Sequence, residues 1–342
     1  MLRQLLLSAL VLGAAQPEKA GESGIRLSGT PGDDAWRFTI FCKKPGRPGL
    51  LVRLLKDPRT GGEDFVLDPP RLAGTFDISP NGRCLAYETG GDNRGITIAS
   101  IRDHQAAHIL GTFEHVRDPR WGARGRSIVV QRNDKGQLSV GWIDLANGGM
   151  SIADKQCMSP VAVPTTGQLV CRNATGLIVL SAEGKVVKSI SLKERVPDYV
   201  GRIPAQTDVS TDGRRFILEV SVRDASLPWH DGSKDDVYMW DSAMERLDRM
   251  TPPNFVARQP RWLGAGGAWL FLGFELTAKN RKTIQQGGWP VENLYLMPEG
   301  GKKRPRILET DVAQYAVSRG GLEGGTPEPA RVPFDECVSG PE

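Results

Sequence analysis

The chain has 342 residues, enough for a large core, with 44 Lys and Arg set against 40 Asp and Glu. The sequence pI is near 8.8, but the basic residues form no block, so composition gives no nucleic-acid-binding face. The 40 glycines and 24 prolines suit a protein made largely of turns.

Residues 1–16 carry the three parts of an export signal. Arg3 supplies the positive end, Leu5 to Leu12 is apolar apart from Ser8, and Gly13-Ala14-Ala15 offers small residues for cleavage. The apolar run is too short to span a bilayer. No Cys stands at the cleavage point, so lipid attachment there is not expected. The alternative reading is a buried N-terminal strand or helix. Residues 17–24 follow as a polar spacer, 25–319 as the folded domain, and 320–342 as a flexible C-terminal tail. The expected location is periplasmic or secreted, with no transmembrane segment after signal removal.

Residues 25–70 offer three strand candidates, Trp36–Lys43, Leu50–Leu55 and Phe65–Asp68, and lack an inner strand. The stretch Phe76–Ile101 then shows a complete unit: a short extended run, the turn Pro80-Asn81-Gly82, a strand over Cys84–Tyr87, a second turn, and Ile96 and Ile98 at period two. Variants recur. Gly82 aligns with Gly125, Gly167, Gly213 and Gly266, at intervals of 43, 42, 46 and 53 residues, and a sixth start lies near Ala316–Gly321. Units of this length with several strands each are propeller blades, because no unit can bury both faces without a neighbour. The expected fold is all-β: a six-bladed β-propeller with further blades at 71–116, 117–157, 158–206, 207–256 and 257–312. Gln314–Ser318 would close the ring by pairing with the N-terminal strands. Five or seven blades remain open at this point.

These repeats resemble the TolB-type, WD-repeat-like β-propeller family. SPNGRCLAY and STDGRRFIL are similar to that family's turn-and-strand motif, and DVYMWDS, SVGWIDL and NLYLMPE to the strand that follows. Pro119-Arg120-Trp121 and Pro260-Arg261-Trp262 resemble the P-x-W that opens many such blades. The resemblance covers about residues 70–320. It implies a propeller and, through the family's role in the cell envelope, association with protein partners. It does not fix an activity, since the same repeat occurs in peptidases and lyases. TolB itself carries an α/β domain before its propeller, for which the sequence leaves no room, so the likeness is to the repeat and not to TolB itself.

Two insertions interrupt the fifth and sixth units at the same kind of turn: Val222–Asp236, holding Trp229 and His230, and Glu275–Glu292, holding Trp289. Loops of this length often carry function. The two Trp either tuck into their own loops or form a shared aromatic lip. Along the inner strands the position of Asp77 aligns with Arg120, Ala162, Asp208, Arg261 and Ala316. Neighbouring blades would offer Asp77 to Arg120 and Asp208 to Arg261, either as inter-blade ion pairs or as a polar channel receiving a charged ligand.

Catalytic motifs are sparse. There is no G-x-S-x-G and no G-x-x-x-x-G-K-[ST], and no catalytic residue is assigned. The His104/His108 pair falls at a turn entering an outer strand, with Glu114 and His115 near it. Asp231, Asp235 and Asp236 resemble a short oxygen-ligand loop without the acidic terminator of an EF-hand. Asn173-Ala-Thr175 is a sequon. Of five Cys, Cys157 and Cys171 are expected to pair, and Cys337 to staple the tail to Cys42, although spacing does not fix connectivity. The reading is a monomeric exported scaffold, without a cofactor or nucleic acid, that binds a protein or peptide through Asp77, Arg120, Asp208, Arg261, Trp229, His230 and Trp289. The alternative is a glycan or small-molecule binder, or an enzyme, using the channel mouth.

Overall fold

A computed structural model describes residues 38–47, 49–55, 64–90, 95–102, 105–122, 125–134, 137–154, 157–202, 205–227, 232–263, 267–298 and 304–318, together with Phe334 and Cys337. The sequence assignments at Trp229, His230, Asp231, His104, the export signal and most of the tail lie outside these residues.

Six four-stranded antiparallel sheets stand around one axis. Blades 2 to 6 begin with the inner strands Leu72–Ile78, Val116–Trp121, Met158–Ala162, Thr207–Val209 and Phe255–Leu263. Blade 1 takes its inner strand from the other end of the chain: Gln314–Ser318 pairs with Phe38–Lys43, with Ala316 opposite Phe41. The ring is thereby closed by its two ends, which removes the open edge a linear array of blades would leave.

Each blade-to-blade junction has its own apolar core, six in all. Phe41, Leu50, Phe76 and Tyr87 fill the junction of blades 1 and 2. Ile98, Trp121 and Ile128 fill that of blades 2 and 3, and Val129, Val140, Leu169 and Leu180 that of blades 3 and 4. Val170, Leu177, Leu218 and Trp240 join blades 4 and 5; Ile217, Val237, Phe255 and Trp269 join 5 and 6; Ile40, Leu270 and Tyr315 join 6 and 1. Both faces of each inner sheet are therefore buried, which is why the second strands read as unbroken apolar runs rather than alternating ones.

The turn between the first and second strands repeats as the sequence implied. Gly82, Gly125, Gly167 and Gly213 hold φ between 68° and 75°, a region open to glycine at no steric cost. In blades 2 and 5 a serine closes the turn: Cys84 N donates to Ser79 Oγ and Arg215 N to Ser210 Oγ, both at 2.9 Å. One alignment shifts. In blade 4 the turn is one residue longer, with Gly167 N reaching Val163 O. This puts Val161, not Ala162, at the ring position of Asp77, as its pairing with Val170 shows. In blade 6 Gly267 holds φ of 72°, and the aligned Gly266 lies outside the described residues.

Cys157 and Cys171 form a disulfide, as expected. The tail staple is different. Cys337 bonds to Cys84 on the second strand of blade 2, while Cys42 is a free thiol inside the junction of blades 6 and 1. Cys84 faces the junction of blades 2 and 3, where Phe334 packs against Phe113 with ring centroids 6.5 Å apart. Phe334 and Cys337 are thus held on blade 2, at its junction with blade 3, rather than at the closure.

Candidate functional site

The disc has two unlike faces. The turns carrying Gly82, Gly167 and Gly213 lie on one, here the turn face. Because neighbouring strands run antiparallel, the connections between second and third strands lie on the opposite face. Both long insertions are there, as the sequence placed them.

On this insertion face the two loops form one body. Leu227 from the blade 5 insertion packs with Val256, Phe274, Leu276 and Ile284 of blade 6. Arg281 Nη1 donates to Ser226 Oγ at 3.1 Å. The second insertion contains a helix, Ala278–Gln285, capped by Thr277, whose side chain accepts from Asn280 N. The sequence reading placed no helix here. Thr277 before Ala-Lys-Asn-Arg-Lys, closed by Gly287-Gly288, was the legible cue. Trp289 sits after this helix, edge-on to Phe274 with ring centroids 5.6 Å apart. It remains 48% exposed beside Val291 at 62%.

Beneath Trp289 lies a buried charged group that the sequence reading missed. Arg258 pairs with Glu292 and stands 5.9 Å from the Trp289 ring centroid. Burial raises the Glu292 carboxyl above its usual range, opposed by Arg258 and by the Trp289 side chain. Glu219 accepts from Gln259 N at 2.7 Å. Burial, and then Asp235, push its carboxyl up to about 7, with Gln259 N–H, Arg258 and Arg172 pulling the other way. Arg172 spans the blade 4–5 junction, donating to Glu219 O at 2.7 Å, and burial lowers its pKa.

The expected ion pairs of the inner ring are replaced by clasps on backbone. Asp77 Oδ2 accepts from Trp121 N at 2.9 Å, and Asp208 Oδ2 from Trp262 N at 2.7 Å. Each Asp holds the next blade through the P-R-W strand. A second carboxylate eleven residues on in the sequence, Glu88 or Glu219, holds the same strand lower down, at Asp118 N or Gln259 N. Those two residues carry φ of 52° and 53°, at register shifts in their strands. A left-handed non-glycine residue is costly, and the carboxylate that accepts its N–H offsets part of that cost. Burial raises the Asp118 carboxyl, with Arg120 acting against it. Arg120 reaches across the channel past blade 4, donating to Gln206 Oε1 at 2.8 Å. The long separation hides these clasps from a reading by neighbours, but the shared spacing of Asp and Glu before each P-R-W was a usable cue.

On the turn face the channel opens as a cavity of about 80 Å³ lined by Asp77, Asp208 and Arg261 among apolar walls that include Trp121, Trp262 and Val317. The expected binding residues therefore divide. Asp77, Asp208 and Arg261 belong to the turn face, whereas Trp289 belongs to the insertion face, and no single mouth unites them.

The metal candidates Asp235 and Asp236 are adjacent on the strand Ser233–Asp241, so their side chains leave opposite faces of the sheet. Asp235 accepts from Ser221 Oγ at 2.5 Å. Asp236 is fully buried between Arg249 and Lys234 and accepts from Thr251 Oγ1. They cannot share one cation. Among the described residues no group of three or more His, Cys, Asp and Glu is placed to hold a metal. The sequon residue Asn173 closes its own turn, accepting from Thr175 N and Gly176 N.

No protein-family profile and no curated protein matches the sequence. Solved structures do. TolB from Acinetobacter baumannii superposes with a TM-score of 0.59 at 16% identity, over 85% of this chain and 69% of that one. The likeness is one of fold. A structure assigned to TolB from Agrobacterium tumefaciens gives 0.49 at 10% identity over 83% and 92% of the two chains. The β-propeller domain of the Trilobed protease from Pyrococcus furiosus gives 0.44 at 16% over 68% and 70%. No helix among the described residues is long and apolar enough to cross a membrane.

Proposed function

We propose that this chain is an exported propeller scaffold that binds a protein or peptide partner in the cell envelope, acting as a monomer. The observation that carries the reading is the fused insertion body. Two loops from adjacent blades share a core and present Trp289 and Val291 to solvent, over Arg258 and Glu292. A large aromatic held edge-on by a buried ring, over charged groups already fixed in place, has the make-up of an interface anchor: apolar area at low entropic cost with polar neighbours to set register. The fold shared with TolB and the signal-like residues 1–16 support the envelope setting.

A photo-crosslinker at position 289, compared with one at the exposed turn-face residue Thr166, tests this. One partner crosslinked from 289 alone, which then binds the purified chain saturably and is lost with Trp289→Ala, is the expected result. Equal crosslinking from both faces, or binding indifferent to Trp289→Ala, refutes it. The alternative of a small ligand in the channel is favoured by one separate feature, the cavity holding Arg261.

A further inference from the structure

The blade 6 insertion breaks a local rule on its exposed side. Residues 276–291 include Lys279, Arg281 and Lys282 and no Asp or Glu. Acidic residues suit the first turn of a helix, where they meet its positive pole. The helix Ala278–Gln285 has none there, and Lys279 stands in that turn instead. Packing does not require this. Ile284 is the buried side chain of the helix. Arg281 serves the insertion body itself, donating to Leu276 O at 3.2 Å and to Ser226 Oγ at 3.1 Å. Lys279 and Lys282 are exposed and, one turn apart, are neighbours on the helix surface. Among the described residues neither side chain makes an ion pair or a hydrogen bond.

The chain then folds back onto this helix. Gly288 N donates to Thr283 O at 3.0 Å, and a Cβ at Gly288 would stand 3.0 Å from Thr283 Cγ2. Thr283 follows Lys282 and lies four residues after Lys279, on the same helical face. Trp289 therefore leaves the fold beside the two lysines, with Val291 next to it, both exposed. Nearby carboxylates are engaged elsewhere. Glu275 meets Arg304 and Asn254, Asp224 faces Lys234, Asp235 accepts from Ser221, and Glu292 pairs with Arg258. The surface thus joins uncompensated positive charge to an aromatic and an aliphatic side chain. Phosphate groups alone would leave Trp289 and Val291 unused. The ring of Trp289 is held edge-on by Phe274, which suits a side chain laid against it better than insertion into a bilayer.

We propose that the segment bound by the insertion face is an acidic peptide, with Asp or Glu opposite Lys279 and Lys282 and an apolar residue packed on Trp289 and Val291. This rests on the reading of that face as the partner-binding surface and names the chemistry of the partner.

The test is selection of random peptides displayed on phage against the purified full chain. The enriched peptides are then titrated by fluorescence anisotropy at low and high salt. The variants are Trp289→Ala and the double change Lys279→Glu, Lys282→Gln. Glu at position 279 suits the helix pole, so this double variant keeps the helix. The expected result is enrichment of acidic peptides with an apolar residue beside the acids. Their affinity should fall by roughly tenfold or more with Trp289→Ala, by about fivefold or more with the lysine changes, and on raising the salt. Peptides that need Trp289 but are neutral or basic, or are indifferent to the lysine changes, would overturn this inference and leave the partner-binding reading standing. No enriched peptide, with a partner still crosslinked from position 289, would do the same; neither peptide nor crosslink would overturn both. Cosedimentation with vesicles of phosphatidylethanolamine and phosphatidylglycerol, lost with Trp289→Ala, would assign the face to a bilayer and overturn the peptide.

Discussion

Glu219 gives the sharpest prediction. The residue is 8% exposed and its carboxyl pKa is raised from 4.5 to about 7, first by burial and then by Asp235. A raised folded-state pKa means the native state holds this proton more tightly than the unfolded chain does. The protonated group therefore contributes stability that is fully present below about pH 4.5 and is lost as pH rises through about 7. The separation corresponds to about 3 kcal/mol as an upper figure, at about 1.4 kcal/mol per pKa unit. Glu219→Gln keeps the shape and leaves an oxygen to accept from Gln259 N, and it cannot ionise. Other raised carboxyls, Asp118 and Glu292 among them, titrate in both proteins and cancel in the difference. Urea denaturation at about pH 5 and about pH 8, at fixed ionic strength, should show the variant gaining on the parent by about 1–3 kcal/mol between the two conditions. A difference that stays constant across that range would refute the reasoning, and would mean the carboxylate is already ionised and satisfied by Arg258 and Arg172.

The inner clasps predict that Asp208→Ala and Asp77→Ala each cost about 1–3 kcal/mol, since each orphans a Trp backbone N–H. The two losses should add, because they lie at different junctions; strong coupling in thermal or urea melts of the double variant would contradict this. Thiol titration of the denatured, unreduced chain should find one free cysteine, Cys42, and Cys337→Ser should release a second at Cys84; release of Cys42 instead would restore the expected staple. Ile284→Ala should cost about 2–4 kcal/mol of local stability, seen as faster hydrogen exchange over residues 278–285 and in the blade 5 insertion together. Faster exchange in only one of them would show that the insertions are not one body.

Much of the fold could be read directly because a propeller is a local code repeated. Turn chemistry such as Ser79-Pro80-Asn81-Gly82 and the apolar second strands state each blade within about 40–50 residues, and the closure by Gln314–Ser318 follows from a first unit that lacks its inner strand. The local code fails where two units differ by one residue. The longer turn before Gly167 moved Val161 into the place assigned to Ala162, because no neighbour in sequence records a register. The disulfide of Cys337 fails for the same reason: Cys42 and Cys84 are alike in composition and setting, and only the packing of Phe334 on Phe113 sets the tail beside blade 2.

For the candidate sites, sequence determined which residues were available, and tertiary structure decided what each one faces. Asp77, Arg120, Asp208 and Arg261 were correctly set along the inner strands, but pairing by opposite charge did not predict their partners. The backbone N–H groups of Trp121 and Trp262 had to be satisfied once the blades closed over them, and they took the two Asp carboxylates. Arg261 was thereby left facing the cavity, and Trp289 was separated from it by the thickness of the disc. A chain sequence carries periodicity, and so it determined the blades. It does not carry the competition among buried donors for a limited number of acceptors, and that competition, settled only when all six junctions are packed, decided the chemistry of each mouth.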